Sequence, residues 1–216
     1  MSYPQAPWIL QGYAFQTLQL LDTERVRRFI PAELDIISVF PGKTVGGVYL
    51  SRYGAGSVLE YSELIVISGI HSYQGKFGGW VTHIYVDNPD SVAGGREIWG
   101  LPKELAEFTW TDNSVSVRQD NRLLCSLKYS RQGFGLQQKL GALTFSTQGT
   151  DLLLFSAEVE ARFGLVSAKL EIPSQSPFSA LDIGQPWLTV HAEQMRLVVD
   201  APTVIGQKSV EFSYKN

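Results

Sequence analysis

The sequence predicts a β-rich α+β domain whose antiparallel sheet is curved or closed as a barrel. Three observations lead there. Most of the chain alternates apolar and polar residues in strand fashion. Only two short segments carry helical spacing, and no repeat, low-complexity tract or linker divides the chain, so residues 1–216 read as one domain. With 44% hydrophobic and 18% charged residues, its composition is that of an ordered protein with a sizeable core.

The first helix is "DTERVRRFIP", residues 22–31: Asp22 caps it, Val26, Phe29 and Ile30 share a face, and Pro31 stops it. Strand patterns follow in "VGGVYLSRY", "VLEYSELIVIS" and "GGWVTHIYVD". The second helix is "NPDSVAGGREIWGLP", residues 88–102. Asn88 is its cap, Pro89 suits the first helical position, Asp90 favours the positive end, and Gly100 takes the left-handed closing conformation. The Gly94–Gly95 pair weakens this helix and implies that something packs closely against it. "SVSVRQDNRLLCSLKYS" reads as a hairpin turning at Asp120–Asn121, and "AEVEARF", "LVSAKLEIP" and "WLTVHAEQMRLVV" complete the strands.

Charge and composition narrow the function. The formal net charge is −3 with no basic block, which argues against a nucleic-acid surface. The N-terminus has no positive region of the secretory kind, and no apolar run reaches membrane-span length, so a cytoplasmic protein without a membrane partner is expected. Cys125, the single cysteine, fits a reducing compartment; alternating with Leu123 and Leu127, it reads as a buried structural thiol. His71, His83 and His191 are too scattered for a local metal motif, and "PGKTVGG" lacks phosphate-loop spacing. The five tryptophans read as core or interface residues.

One lysine stands out. In "GREIWGLPKELAEF", Lys103 follows the second helix in the company of Trp99, Leu101, Pro102 and Leu105. In an extended chain Lys103 faces one way and Glu104 the other. An apolar pocket disfavours the ammonium form of a lysine, and a neutral amine attacks carbonyl carbon to form a Schiff base. The alternative is a surface lysine whose stem covers apolar groups. On "VLEYSELIVIS", alternation sets Glu63 on one face with Leu59, Tyr61, Ile65 and Ile67. Glu63 is either a pocket acid or a glutamate reaching solvent or a structural arginine. His83, alternating with Val81 and Tyr85, either lines the same pocket or sits satisfied in the core.

The segment "VTHIYVDNPDSVAGGREIWGLPKELAEF" resembles the central signature of the acetoacetate decarboxylase family, in which a helix ending Gly-Arg-Glu leads to Pro-Lys. "RVRRFIPAELDI" is similar to the family's entry segment and "LEYSEL" to its Tyr-Thr/Ser-Glu strand; the three occur in family order across the first half of the chain. The resemblance implies a cone-like closed sheet, a homo-oligomer, a small carbonyl substrate, and neither metal nor organic cofactor. It matches Lys103 to the Schiff-base nucleophile, Glu63 to a pocket acid, and Arg96 and Glu97 to the supporting Gly-Arg-Glu element, with Tyr61 beside the pocket. The implied reaction is decarboxylation of acetoacetate or a related β-keto acid. An imine-dependent aldolase or dehydratase, or a non-catalytic ligand-binding member, is the alternative.

Three positions depart from the family pattern. The lysine that follows the nucleophile in the decarboxylases is here Glu104. The carboxylate-binding arginine corresponds to the neighbourhood of Gly12, and a further pocket glutamate to the neighbourhood of Val48, with Arg52 as a nearby candidate cation.

Overall fold

The computed structural model describes residues 3–130 and 135–208. In chain order it comprises β1 (Trp8–Asp22), α1 (Thr23–Arg27), β2 (Asp35–Ile36), β3 (Lys43–Tyr53), β4 (Tyr61–Tyr73), β5 (Lys76–Val86), α2 (Pro89–Trp99) and β6 (Lys103–Leu105). There follow β7 (Glu107–Thr111), β8 (Ser114–Gln119), β9 (Arg122–Tyr129), β10 (Leu136–Gln148), β11 (Asp151–Leu165) and β12 (Ala168–Glu171). A 3₁₀ turn (Ser179–Leu181) and strands β13 (Leu188–Val199) and β14 (Thr203–Gln207) complete it.

Neighbouring strands run β4, β3, β1, β13, β11, β10 and β5, and β5 pairs back onto β4, which closes a seven-stranded barrel. Closure leaves these strands no free sheet edge along their paired length. The ladder is antiparallel except where β10 meets β5 at Thr144–Gly79 and Phe145–Trp80, and where β6 joins β5 after the α2 crossover. A second sheet, in the order β12, β9, β8, β7, contributes Val115, Val117, Cys125, Leu127 and Leu170 to an apolar cluster outside the barrel wall, together with Phe15, Val48, Leu50, Leu64 and Tyr85. The barrel's inner face carries a separate cluster that includes Trp8, Leu10, Ala14, Tyr53, Tyr61, Ile84 and Trp99. Period-two alternation on β1, β3 and β4 thus supplies both clusters from the same strands.

Both helices begin on the expected residues and α2 also ends on them, but α1 stops at Arg27, short of the expected Pro31, and Phe29 and Ile30 lie in the turn that follows. Asp22 accepts the Glu24 and Arg25 amides at the start of α1, and Asn88 accepts those of Asp90 and Ser91 at the start of α2. Gly100 closes α2 with φ 62°, and its N–H donates to Arg96 O. The β8–β9 turn has Asp120 and Asn121 at φ 48° and 63°, the paired left-handed conformation of a tight hairpin. Cys125 is fully buried, and burial pushes its thiol up to about 12. Two long strands, β1 and β10, arise where no strand was expected. "LVSAKLEIP" is shared between the end of β11 and the short β12 in the second sheet.

His71 on β4 is fully buried, and neither ring nitrogen has a hydrogen-bond partner. Burial, followed by the Arg27 guanidinium, lowers its pKa from 6.5 to about 4. Above pH 6.5 the ring is neutral in both folded and unfolded chains. Between pH 6.5 and 4 the unfolded chain takes up a proton that the folded chain refuses, so stability is expected to fall by about 3 kcal/mol in total. Urea unfolding as a function of pH measures this, and His71→Leu is expected to remove that share of the slope.

Candidate active site

Helix α2 and the strands on either side of it bring the site together. The α2 crossover returns the chain parallel to β5, and Lys103, the first residue of β6, registers with Ile84. Its backbone carbonyl accepts the Arg96 Nε–H at 2.7 Å. Its side chain turns inward, 3% exposed, and lies over Gly95: a Cβ there would stand 2.6 Å from Lys103 Cε. Gly94 meets the Trp8 ring in the same manner. These are the close neighbours that the glycine pair anticipated.

Lys103 Nζ donates to Glu63 Oε1 at 2.8 Å and to Ser91 Oγ at 3.0 Å. The rings of Tyr61 and Trp8 lie 5.1 and 5.6 Å from it, within range for cation–π attraction. Glu63, buried on β4, accepts a second hydrogen bond at Oε2 from Tyr53 OH at 3.1 Å. Tyr49 OH is in turn 3.1 Å from the Tyr53 oxygen. Burial drives the phenols of Tyr49, Tyr53 and Tyr61 well above their ordinary range, so all three are neutral O–H groups. The result is a buried relay from Tyr49 through Tyr53 and Glu63 to Lys103 and Ser91.

This cluster forms one end of a cavity of about 450 Å³ inside the barrel. Tyr61, Glu63, Ile65 and Ile67 all line it, as their alternation on β4 implies. Glu104 points out to solvent and accepts from Gln119 Nε2 at 2.8 Å, so no anion joins Lys103 from that position. Among the described residues no group of three His, Cys, Asp or Glu side chains is arranged to hold a metal.

Some expected participants lie elsewhere. His83 is outside the cavity, between the rings of Phe29 and Phe178 at 6.0 and 5.5 Å. The cause is a bulge: β5 pairs His83 with Val66 but Val81 with Ile67, which leaves Thr82 over and turns His83 to the outer face. Arg96 and Glu97 are exposed; Arg96 supports the lysine through its backbone, while Glu97 accepts from Tyr3 OH at 2.5 Å at the surface. Gly12 does not line the cavity, and a side chain there would strike the Arg52 carbonyl. Arg52 itself is exposed, and Val48 belongs to the outer cluster, its neighbour Tyr49 facing inward in its place. Ser91, Tyr49 and Tyr53 were not anticipated, although Ser91 stands four residues before Gly95 on one helical face and Tyr49, Ser51 and Tyr53 alternate on one strand face.

The site is thus a lysine–carboxylate pair at the inner end of an apolar cavity in a closed barrel. The chain belongs to the acetoacetate decarboxylase family: residues 3–150 match the family model described as acetoacetate decarboxylase (ADC). It is 32% identical to the protein NEOXANTHIN-DEFICIENT 1 of Solanum lycopersicum over 109 residues, 50% of this chain and 37% of that one. It is 30% identical to the acetoacetate decarboxylase of Burkholderia vietnamiensis over 117 residues, 54% of this chain and 46% of that one. The match therefore spans less than half of either relative. Among solved structures, acetoacetate decarboxylase from Legionella pneumophila has a TM-score of 0.77 at 17% identity, covering 96% of this chain and 90% of that one. The enduracididine biosynthesis enzyme MppR complexed with pyruvate has a TM-score of 0.71 at 13% identity, covering 95% and 93%. At such identities the structural likeness establishes the fold.

Proposed function

We propose that this protein is a carbon–carbon lyase in which the Lys103 amine condenses with the carbonyl group of a small organic molecule. The observation that carries the reading is the placement of Lys103 Nζ 2.8 Å from Glu63 at the buried end of an apolar cavity. The short hydrogen bond gives an ammonium proton a route to Glu63 and frees the nitrogen lone pair for attack. Nitrogen adds to the carbonyl carbon, the carbonyl oxygen collects two protons and departs as water, and a protonated imine remains. That cation accepts the electron pair of the next carbon–carbon bond but one. Cleavage leaves an enamine, which is reprotonated at carbon and hydrolysed by water to return the amine.

Decarboxylation of acetoacetate or a related β-keto acid is the first form of this reaction. Family membership supports it, as does an apolar wall that favours neutral carbon dioxide over the carboxylate it comes from. A retro-aldol through the same imine, or a dehydration in which the enamine expels a β-hydroxyl as water and so breaks a carbon–oxygen bond instead, is the second. In its favour, Lys103 is the only lysine or arginine among the described residues lining the cavity, so no further cation is there to hold a substrate carboxylate. A homo-oligomer belongs to the same proposal, supported by the exposed Leu136, Leu140 and Leu143 along β10.

The test is to incubate the protein with acetoacetate and, separately, pyruvate, add borohydride, and locate the adduct by peptide mass spectrometry while measuring carbon dioxide. An adduct on Lys103 with gas release is the result expected for the decarboxylase, and an adduct without gas indicates the second form. Absence of any adduct at Lys103 removes the imine and leaves a ligand-binding protein. Ser91→Ala, which takes away one acceptor from Nζ, is expected to slow adduct formation roughly tenfold.

A further inference from the structure

Every charged group lining the cavity is at one end, and each is already engaged. Lys103 is held by Glu63 and Ser91, and Glu63 by Lys103 and Tyr53. Beyond Ile65 the wall is Ile67, Val81, Leu140, Phe163, Val190 and Leu197. Gln16 and Thr144 are the polar residues that also border it, both uncharged, and the Gln16 amide nitrogen donates to Thr17 O at 2.8 Å. From Glu63 to Ile67 the β4 wall extends for about 14 Å. The cavity meets solvent where Leu140, Gly141 and Ala142 of β10 line it and are exposed.

A volume of about 450 Å³ belongs with pockets that enclose drug-sized molecules. A molecule the size of acetoacetate reaches Lys103 but leaves the apolar length of the barrel unfilled. A second charge on a longer molecule would be buried among mainly aliphatic side chains, with no charged group among the described lining residues beyond Lys103 and Glu63 to pair it. We infer that the cavity takes a carbonyl compound with an extended, uncharged hydrocarbon body, its carbonyl carbon at Lys103 and its tail running along β4 towards the β10 opening. The inference rests on the imine reading above and adds the substrate class to it.

Borohydride trapping on the intact protein with acetone, hexan-2-one and decan-2-one tests it, since tail length is the only variable. The concentration that half-saturates the Lys103 adduct is expected to fall about fourfold for each added methylene until the cavity is full. Pentan-2-one is expected to trap better than 4-oxopentanoate, whose tail is charged. Equal trapping across the series, or a preference for acetone, overturns the substrate class and leaves the imine intact. Should no ketone be trapped, the imine reading fails, and quenching of the cavity-lining Trp8 and Trp99 by the same ketones decides the substrate class alone. Quenching that strengthens with tail length supports an apolar occupant; quenching independent of length, or none, overturns it.

Discussion

Lys103→Ala is expected to abolish the borohydride-trapped adduct and to lower turnover by on the order of 10,000-fold or more, the scale on which enzymes lose a covalent nucleophile. The same change acts on the fold, because it leaves Glu63 in the barrel interior without its cation. With both side chains almost fully buried, 4% and 6% exposed, removing one partner is expected to cost about 3–5 kcal/mol. Stability and activity then separate in a double variant. Lys103→Met together with Glu63→Gln removes both charges at little change in volume, so most of the lost stability is expected to return in urea unfolding while the adduct stays absent. Adduct formation surviving in that double variant would show that the reactive amine lies elsewhere.

Gly95→Ala is expected to lower adduct formation about 100-fold, the consequence of moving a reacting group by about 1 Å. In an ordinary helix interior the substitution stabilises by about 1 kcal/mol, but here the new methyl group occupies the space of the Lys103 stem. The lysine is the flexible member of that contact and gives way, so Nζ is displaced within the pocket from its place beside Glu63; the weakened ion pair offsets the helix gain, and the loss of adduct is expected to exceed the loss of stability. Gly94→Ala provides the contrast. Its methyl group would press on the Trp8 ring, itself packed edge-to-face on Trp99 at 4.9 Å, and the cost is expected to appear mainly as lost stability. Wild-type adduct formation by Gly95→Ala would show that the glycine contact has no part in positioning the amine.

Particular residues show which parts of this arrangement local sequence pattern carries. Asn88, Pro89 and Gly100 mark the limits of α2 because capping is chemistry between near neighbours. Glu63 was visible as a carboxylate on an apolar strand face because β4 keeps its alternation from Tyr61 to Ile67. Sequence left His83 open between pocket and core because the Thr82 bulge that turns it away from the pocket depends on how β5 meets β4, a tertiary event that leaves no local trace. The N-terminal strand went unread for a related reason: its register shifts between Gly12 and Ala14. In β10 the residues from Leu136 to Leu143 are exposed on both faces, so no alternation exists to be seen. Ser91 escaped notice because a serine in the first turn of a helix has a sufficient local explanation. Its part in the site comes from Lys103, twelve residues along and on another element.

Helix α2 touches the lysine in three ways: Arg96 at its carbonyl, Gly95 along its stem and Ser91 at its nitrogen. Two glycines in the middle of so short a helix leave it little intrinsic stability, and what rests on those glycines is Trp8 and Lys103 themselves. Helix and lysine are therefore ordered together. Any opening that frays α2 also releases the amine from Glu63, and a molecule bound covalently at Nζ draws the whole turn into its own protection. Amide hydrogen exchange along residues 91–98, which do not line the cavity, thereby becomes a report on occupancy of the barrel.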